Sequence, residues 1–285
     1  MEYTTLNNNK KMPLVGFGVY QIADLKQCEE AVSNALSVGY RSLDTAQSYL
    51  NEKAVGNAIA NSGIKREDIF LTTKLWVENQ GEDNALRAIE NSLKRLKTDY
   101  LDLFLIHQPF GDYYGSWRAM EKLYKEGVLK AIGISNFYPD RFIDLYYHAQ
   151  IKPMVNQIEV NPYFQRYDVQ ALLNEFNTTT EAWAPFAEGK NKLFENPTIN
   201  QIAQKHGKTA AQVVLRWLTQ RNIVVLPKST HKERMQENID IFNFKLDEDD
   251  INAIKTLDIG KSQFFSHSDP EIAKWMCTRK LHIDD

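Results

Sequence analysis

Asp44, Tyr49, Lys74 and His107 are four side chains of types that could together protonate an oxyanion. A phenol is a weak acid of pKa about 10, and an ammonium beside it favours the phenolate and lowers that value. A carboxylate against the ammonium would hold it charged and in place. A neighbouring imidazole can donate a hydrogen bond to a carbonyl oxygen. The set suits protonation of that oxygen as hydride reaches the carbon. Each residue alone has a plainer reading. Asp44 could form a turn, Tyr49 could pack with its hydroxyl in water, Lys74 could be solvated, and His107 could be a satisfied core histidine. The catalytic reading needs all four in one pocket, so it depends on the elements that carry them.

Short apolar runs rich in β-branched residues alternate with amphipathic stretches. They predict eight strands, over 14–19, 41–44, 69–73, 101–106, 131–134, 155–158, 180–183 and 223–226. Most runs are continuously apolar, as parallel strands covered on both faces require. Between them, Leu86, Ile89, Leu93 and Leu96 make one helical stripe within 84–96. Thr209 with Gln212 reads as a capping box, Gly207 as a helix C-terminus and Asp247 as an N-cap. Eight βα units in 285 residues predict an α/β fold. The form expected is a single (β/α)8 TIM barrel domain spanning 1–285, rather than an open doubly wound sheet. Residues 4–14 predict a β-hairpin across the bottom of the barrel. The polar stretch 177–180 has no functional reading. The weakly periodic tail, 260–285, is expected to cap a barrel end or stay mobile rather than to line a pocket.

Barrel strands converge at their C-terminal ends, where barrel active sites form. Asp44 ends the second predicted strand, Lys74 the third and His107 the fourth. Ser135 and Asn136 end the fifth. Gln157 and Glu159 lie on or just after the sixth, and Lys228 follows the eighth. The fold alone therefore brings these residues to one mouth.

Composition narrows the alternatives. The chain is 43% hydrophobic and 25% charged with a net charge of −3, which fits a globular protein. Its cations are spread along the chain, so neither a nucleic-acid surface nor a membrane patch is expected. Two cysteines, Cys28 and Cys277, without C-x-x-C spacing predict no disulfide framework and suit a reducing cytoplasm. No signal-like N-terminus or long apolar window is visible. The histidines are scattered and no zinc-ligand spacing occurs, so no metal is expected. There is no G-x-S-x-G elbow, and Gly16-Phe17-Gly18 is only a G-x-G pair. A nicotinamide cofactor would have to bind at the barrel mouth, without a Rossmann unit.

Several motifs coincide. Gly39-Tyr40-Arg41-Ser42-Leu43-Asp44 runs on to Tyr49, Asn51-Glu52 and Val55-Gly56. Met120-Glu121-Lys122-Leu123 precedes Gly127-Val128 and Ile132-Gly133-Ile134-Ser135-Asn136-Phe137. Leu226-Pro227-Lys228-Ser229 precedes Arg234, Glu237 and Asn238. Thr73-Lys74-Leu75-Trp76 and Leu105-Ile106-His107-Gln108-Pro109 complete the set. Over nearly the whole chain this pattern resembles the aldo-keto reductase superfamily, in particular compact bacterial-type members similar to 2,5-diketogluconate reductases.

The resemblance implies an NADPH-dependent oxidoreductase that reduces aldehydes or ketones to alcohols. Tyr49 is then the general acid, assisted by Lys74, Asp44 and His107. Ser135, Asn136 and Gln157 match groups that hold the nicotinamide carboxamide, and Trp183 the ring stacked on its face. Ala184 and Phe186 open the loop expected over the pyrophosphate. Lys228, Ser229, Thr230 and Arg234 match a clamp on the 2′-phosphate, and Glu237 and Asn238 match adenine contacts. A phosphate dianion needs charge-assisted donors, and this cluster favours NADPH over NADH. His107, Tyr20 and Trp76 are candidate substrate contacts. Pocket and core roles both stay open for Tyr20, Trp76 and Phe137, whereas Trp117, Trp217 and Trp275 are expected to pack helices. Gln108 and Tyr20 stand where Trp is frequent, which implies a smaller, more polar wall. The expected partner is a small-molecule carbonyl, with no nucleic acid or membrane, and the chain is expected to be a cytoplasmic monomer. A rival reading is a reductase-like barrel that senses cofactor redox state for a protein partner. The compact chain, with no added domain, speaks against it.

Overall fold

The computed structural model describes residues 1–281. Two short strands, β1 (Tyr3–Thr5) and β2 (Lys11–Pro13), pair antiparallel. The chain then alternates through β3 (Phe17–Gly18), α1 (Leu25–Ser37), β4 (Ser42–Asp44), α2 (Glu52–Asn61), β5 (Phe70–Leu75) and α3 (Glu82–Leu96). It continues with β6 (Leu103–Ile106), α4 (Tyr113–Lys125), β7 (Ile132–Ser135), α5 (Pro139–His148), β8 (Val155–Glu159), α6 (Tyr167–Glu175) and β9 (Thr179–Trp183). The last elements are α7 (Pro197–His206), α8 (Ala210–Gln220), β10 (Val224–Val225), α9 (Lys232–Ile239), α10 (Glu248–Lys255) and α11 (Pro270–Thr278).

β3 to β10 form one eight-stranded parallel sheet in chain order. Its two edges meet. Val225 N donates to Leu14 O at 2.9 Å, Gly16 N to Val225 O at 2.9 Å and Gly18 N to Pro227 O at 3.2 Å. The sheet thus closes into a (β/α)8 barrel and leaves no open edge. Ladder pairing at this seam is shorter than the apolar runs 14–19 and 223–226 predict. Pro227 has no N–H to continue the ladder. At Gly133 the barrel wall requires a missing side chain, because a Cβ there would lie 2.6 Å from Val155 O and 2.8 Å from Leu105 Cδ2.

The hairpin lies across the bottom of the barrel, as the sequence predicts. Asn7 Nδ2 donates to Pro153 O at 3.1 Å and Asn8 Nδ2 to Lys130 O at 3.0 Å, while Lys10 Nζ pairs with Asp102 Oδ1 at 3.0 Å. All three partners precede strands, at the N-terminal ends of β8, β7 and β6. The polar stretch 177–180 serves the same end: Thr178 Oγ1 donates to the Pro153 carbonyl at 3.0 Å.

The helices start and stop where local chemistry dictates. Thr209 and Gln212 form the predicted capping box on α8, and Asp247 with Asp250 forms one on α10. Gly207 ends α7 with φ 61°. α3 begins two residues before the predicted 84 and packs Ile89 and Leu96 fully inward, with Leu86 and Leu93 half-buried. Trp117 and Trp217 are buried as helix-packing rings. Among the described residues no helix is long and apolar enough to cross a membrane.

Candidate active site

The short turn Gln47–Tyr49 follows β4 and closes on Leu50, whose backbone is left-handed (φ 58°). Buried Gln47 braces it from both ends of its amide. Nε2 donates to Ala88 O and Ser92 Oγ, each at 3.1 Å, and Oε1 accepts from Trp76 N and Asn79 Nδ2, each at 3.0 Å. Asn51 ties the far end to the barrel, with Nδ2 donating to Val19 O at 3.0 Å. Tyr49 is thereby held above the ends of β4 and β5.

Beneath it, Lys74 on β5 is wholly buried. Its Nζ bonds Asp44 Oδ1 at 2.5 Å, Thr45 O at 2.9 Å and the Tyr49 hydroxyl at 3.4 Å. His107, just past β6, sets its ring edge-on to Tyr49 with centroids 5.7 Å apart, and to Trp76 at 5.5 Å. Ser48 Oγ stands 3.3 Å from His107 Nδ1, and Nε2 has no hydrogen-bond partner among the described residues. The structure therefore brings Asp44, Tyr49, Lys74 and His107 together at one mouth.

The electrostatics correct one sequence-based expectation. Burial pushes the Tyr49 phenol up to about 12, and Lys74 pulls it only partly back. The phenol is more firmly protonated than free tyrosine, not less. Burial also works against the Lys74 ammonium, but Asp44 and Tyr49 outweigh it and raise its pKa. For His107, burial first and then Lys74 and His267 drive the imidazole well below its ordinary value. At neutral pH the site holds a protonated phenol, an ammonium and a neutral imidazole.

The other half of the mouth is a chain of amides. Trp183 Nε1–H donates to Asn136 Oδ1 at 2.8 Å. Asn136, in the left-handed conformation (φ 64°), turns Nδ2 to His107 O, Ser135 Oγ and Gln108 Oε1 at 3.1, 3.1 and 3.3 Å. Ser135 Oγ donates to Gln157 O at 2.9 Å. Gln157 Nε2 donates to Asp44 Oδ2 at 3.0 Å and to Glu181 Oε2 at 2.8 Å. Gln157 Oε1 has no hydrogen-bond partner among the described residues. Ser135, Asn136, Gln157, Trp183, Ala184, Phe186 and Lys228 line the same cavity of about 490 Å³ as Asp44, Tyr49 and His107.

Tyr20 and Trp76 line it too, whereas Phe137 is fully buried in the core against Tyr113. Tyr20 packs on Tyr49 with centroids 4.9 Å apart. Ser229 and Thr230, in the loop after β10, and Arg234, Glu237 and Asn238, on α9, stand outside the cavity wall. Lys228 and Arg234 are exposed and make no ion pair among the described residues. The loop after β9 is strained: Ala184, Ala187, Glu188, Asn191 and Lys192 all have positive φ. Gln21 Nε2 reaches across the mouth to Glu188 Oε1 at 3.3 Å.

The tail departs most from the sequence reading. It lines the cavity with Phe264, Phe265, Trp275, Met276 and Arg279. Trp275, expected to pack a helix, is 47% exposed on that wall. Glu159 fastens the tail, accepting from Ser262 Oγ at 2.5 Å and Gln263 N at 2.9 Å. Trp76 Nε1 donates to Arg279 O at 3.4 Å. Residues 282–285 of the expected tail lie outside the described residues. The wall that Gln108 and Tyr20 were expected to make polar keeps both residues, and the tail adds aromatic surface beside them.

Sequence reading also missed Ser48, Glu181 and His267. Glu181 carried a signal, as a carboxyl inside a strand run. Ser48 and His267 carried none. Among the described residues no group of three or more His, Cys, Asp or Glu could hold a metal ion.

The chain has close counterparts among known proteins. Glyoxal reductase of Bacillus subtilis (strain 168) is 45% identical over 253 residues, 88% of this chain and 91% of that protein. An aldo-keto reductase from a Medee basin deep-sea metagenome library superposes with a TM-score of 0.91 at 43% identity, covering 94% of this chain and 98% of that chain. The Bombyx mori aldo-keto reductase solved in complex with NADP gives a TM-score of 0.89 at 31% identity, covering 96% of each chain. The family model for the aldo/keto reductase family matches residues 15–259, and the chain belongs to that family.

Proposed function

We propose that this protein reduces aldehydes or ketones to alcohols with NADPH, working as one barrel domain, monomeric and cytoplasmic. The observation that carries the reading is the wholly buried Lys74 ammonium, bonded at once to Asp44 Oδ1, Thr45 O and the Tyr49 hydroxyl. A buried cation beside a protonated phenol stabilises the phenolate that remains after the proton leaves.

The mouth fits a nicotinamide cofactor. Gln157 Oε1 has no donor among the described residues and can accept from a carboxamide. Trp183 is half-buried at the wall, its indole nitrogen fixed by Asn136, so its ring can stack on a flat heterocycle. Lys228 and Arg234, without an ion pair among the described residues and flanking Ser229 and Thr230, suit a 2′-phosphate, with Glu237 and Asn238 along α9 for the adenine. Ala184 and Phe186 begin the loop that would cover the pyrophosphate. Bound NADPH supplies a hydride to the carbonyl carbon.

The protein's own residues do the rest. In the tautomer with the imidazole proton on Nε2, the Ser48 hydroxyl donates to His107 Nδ1 and Nε2–H orients the carbonyl oxygen. Tyr49 gives its proton to that oxygen. Lys74, held by Asp44, offsets the charge left on Tyr49. Tyr20 and Trp76 bound the substrate side. The free cysteines Cys28 and Cys277 suit a reducing compartment.

The test follows NADPH absorbance with a panel of small aldehydes, ketones and keto-sugars, using Tyr49→Phe and NADH as controls. Turnover that needs Tyr49 and prefers NADPH is expected. Tight NADPH binding with no oxidation of any carbonyl would replace this reading with the redox-sensing barrel.

A further inference from the structure

Glu181 lies on β9 and is wholly buried. Alternate residues of a strand share a face, so its carboxyl points into the barrel one layer below Trp183, the ring proposed to stack on the nicotinamide. Its ladder partner on β8 is Gln157, which lines the cavity. Gln157 Nε2 reaches Glu181 Oε2 at 2.8 Å and Asp44 Oδ2 at 3.0 Å. Glu181 Oε1 has no hydrogen-bond partner among the described residues. The charged groups that face the carboxyl are Asp44 from β4 and Lys74 from β5. β8 offers the neutral amide of Gln157, and the ladder partner on β10 is Val224.

Charge balance then governs this carboxyl. Lys74 is a single cation, already bonded to Asp44. A second carboxylate beside that pair would be a buried charge without a counterion, so the folded chain keeps a proton on Glu181. Burial, then Asp44, push its pKa up to about 8. A reduced nicotinamide ring is neutral and leaves the balance as it is. An oxidised ring is positive, and so brings the second cation that a second carboxylate needs. We infer that Glu181 tracks the oxidation state of the nicotinamide above it, protonated beneath the reduced ring and ionised beneath the oxidised one. This inference rests on the reductase reading above. The only bond broken is the Glu181 O–H, and its proton goes to solvent. Proton loss and NADP+ binding are coupled, and the coupling is reciprocal. Below the pKa of the carboxyl, NADP+ binding includes the cost of removing that proton, whereas NADPH binding does not. The preference for the reduced cofactor is therefore greater at pH 6 than at pH 9.

The experiment is titration calorimetry at pH 7 in buffers of different ionisation enthalpy, which gives the protons released when NADP+ or NADPH binds. Wild type is expected to release a sizeable fraction of one proton more with NADP+. The 2′-phosphate is common to both cofactors and cancels. In Glu181→Gln, close in size and unable to ionise, the two cofactors are expected to release the same. The Kd for NADP+ relative to that for NADPH should fall about tenfold from pH 6 to 9 in wild type, a one-unit shift in one carboxyl, and stay level in the variant. Equal proton release in wild type overturns the inference, whether or not the variant folds. An excess that survives in Glu181→Gln overturns it too, because another group then carries the proton. If neither cofactor binds, the reductase reading itself fails, and this inference with it.

Discussion

Asp44 and Glu181 share one amide. Gln157 gives one N–H to each, at 3.0 and 2.8 Å, and Glu181 Oε1 has no hydrogen-bond partner among the described residues. Lys74 is the cation that offsets charge on both carboxyls, so two carboxylates here would leave an unbalanced buried charge. Burial first, then Asp44, push the Glu181 carboxyl up to about 8, against the pull of Gln157 and Lys74. The folded chain therefore holds a proton there that an unfolded glutamate, of pKa about 4.3, releases. Stability from that proton is complete below about pH 4.3 and is lost as pH rises through about 8. His107 and His267 act with the opposite sign: their depressed values make stability fall as pH drops below about 6.5. Wild type and Glu181→Gln share the histidine contribution, so their difference isolates Glu181. Denaturant midpoints from pH 5 to 9 are expected to fall with rising pH in wild type relative to the variant. Parallel curves would mean that Glu181 is ionised in the folded state. A second test concerns Lys74→Met, which leaves Tyr49 without its counter-charge. Turnover is expected to drop by about 100-fold or more, with cofactor affinity largely kept. Turnover at the wild-type rate would refute the role given to the ammonium.

At the scale of elements, the barrel wall sets what can be changed. Gly133 sits on β7 with the Val155 carbonyl of β8 where a Cβ would go. That neighbour is ladder backbone and cannot swing aside. Gly133→Ala is expected to cost about 1–3 kcal/mol or more, read as a lower denaturant midpoint with an unchanged slope. The eight strands were legible because buried parallel strands are written as local apolar runs. The caps at Thr209 and Asp247 were legible because their chemistry spans only three residues. The seam between β3 and β10 was read too long, since its pairing is decided by Pro227, far from β3 in sequence. Asp44, Lys74 and His107 could be read from strand ends alone, whereas Tyr49 sits on the turn after β4 and could not. The roles of Glu181 and His267 could not, because each depends on a partner amide, Gln157 or Gln108, contributed by a distant strand end. The tail was misread for the same reason. Its own pattern is weak, and its order comes from Glu159, Gln108 and Trp76.

In the molecule as a whole, the two ends of the barrel are closed differently. The hairpin at the bottom buries Leu6 and Met12 in the main core. The tail at the top packs Met276 with Val77 and Phe110 in a small cluster of its own, flanked by Phe265, Ile272 and Ala273. Stability is not uniform across a fold, and a segment held by a satellite cluster can open without the core. The hydrogen bonds from the tail to Glu159, Gln108 and Glu78 are few beside the ladders of the barrel. Native-state hydrogen exchange should therefore show α11 and the residues before it opening at lower free energy than β5 to β8. Met276→Ala removes the centre of the cluster and should speed exchange of the tail amides, leaving the global unfolding midpoint nearly unchanged. The tail carries Phe264, Phe265 and Trp275 over the cavity, so the same variant should raise KM for the carbonyl more than it alters cofactor affinity. If the tail instead exchanged only with the barrel, and Met276→Ala lowered the global midpoint by the full cost of a core truncation, about 2–5 kcal/mol, the mouth would be part of the core. The cavity would then have to admit its substrate without the tail moving.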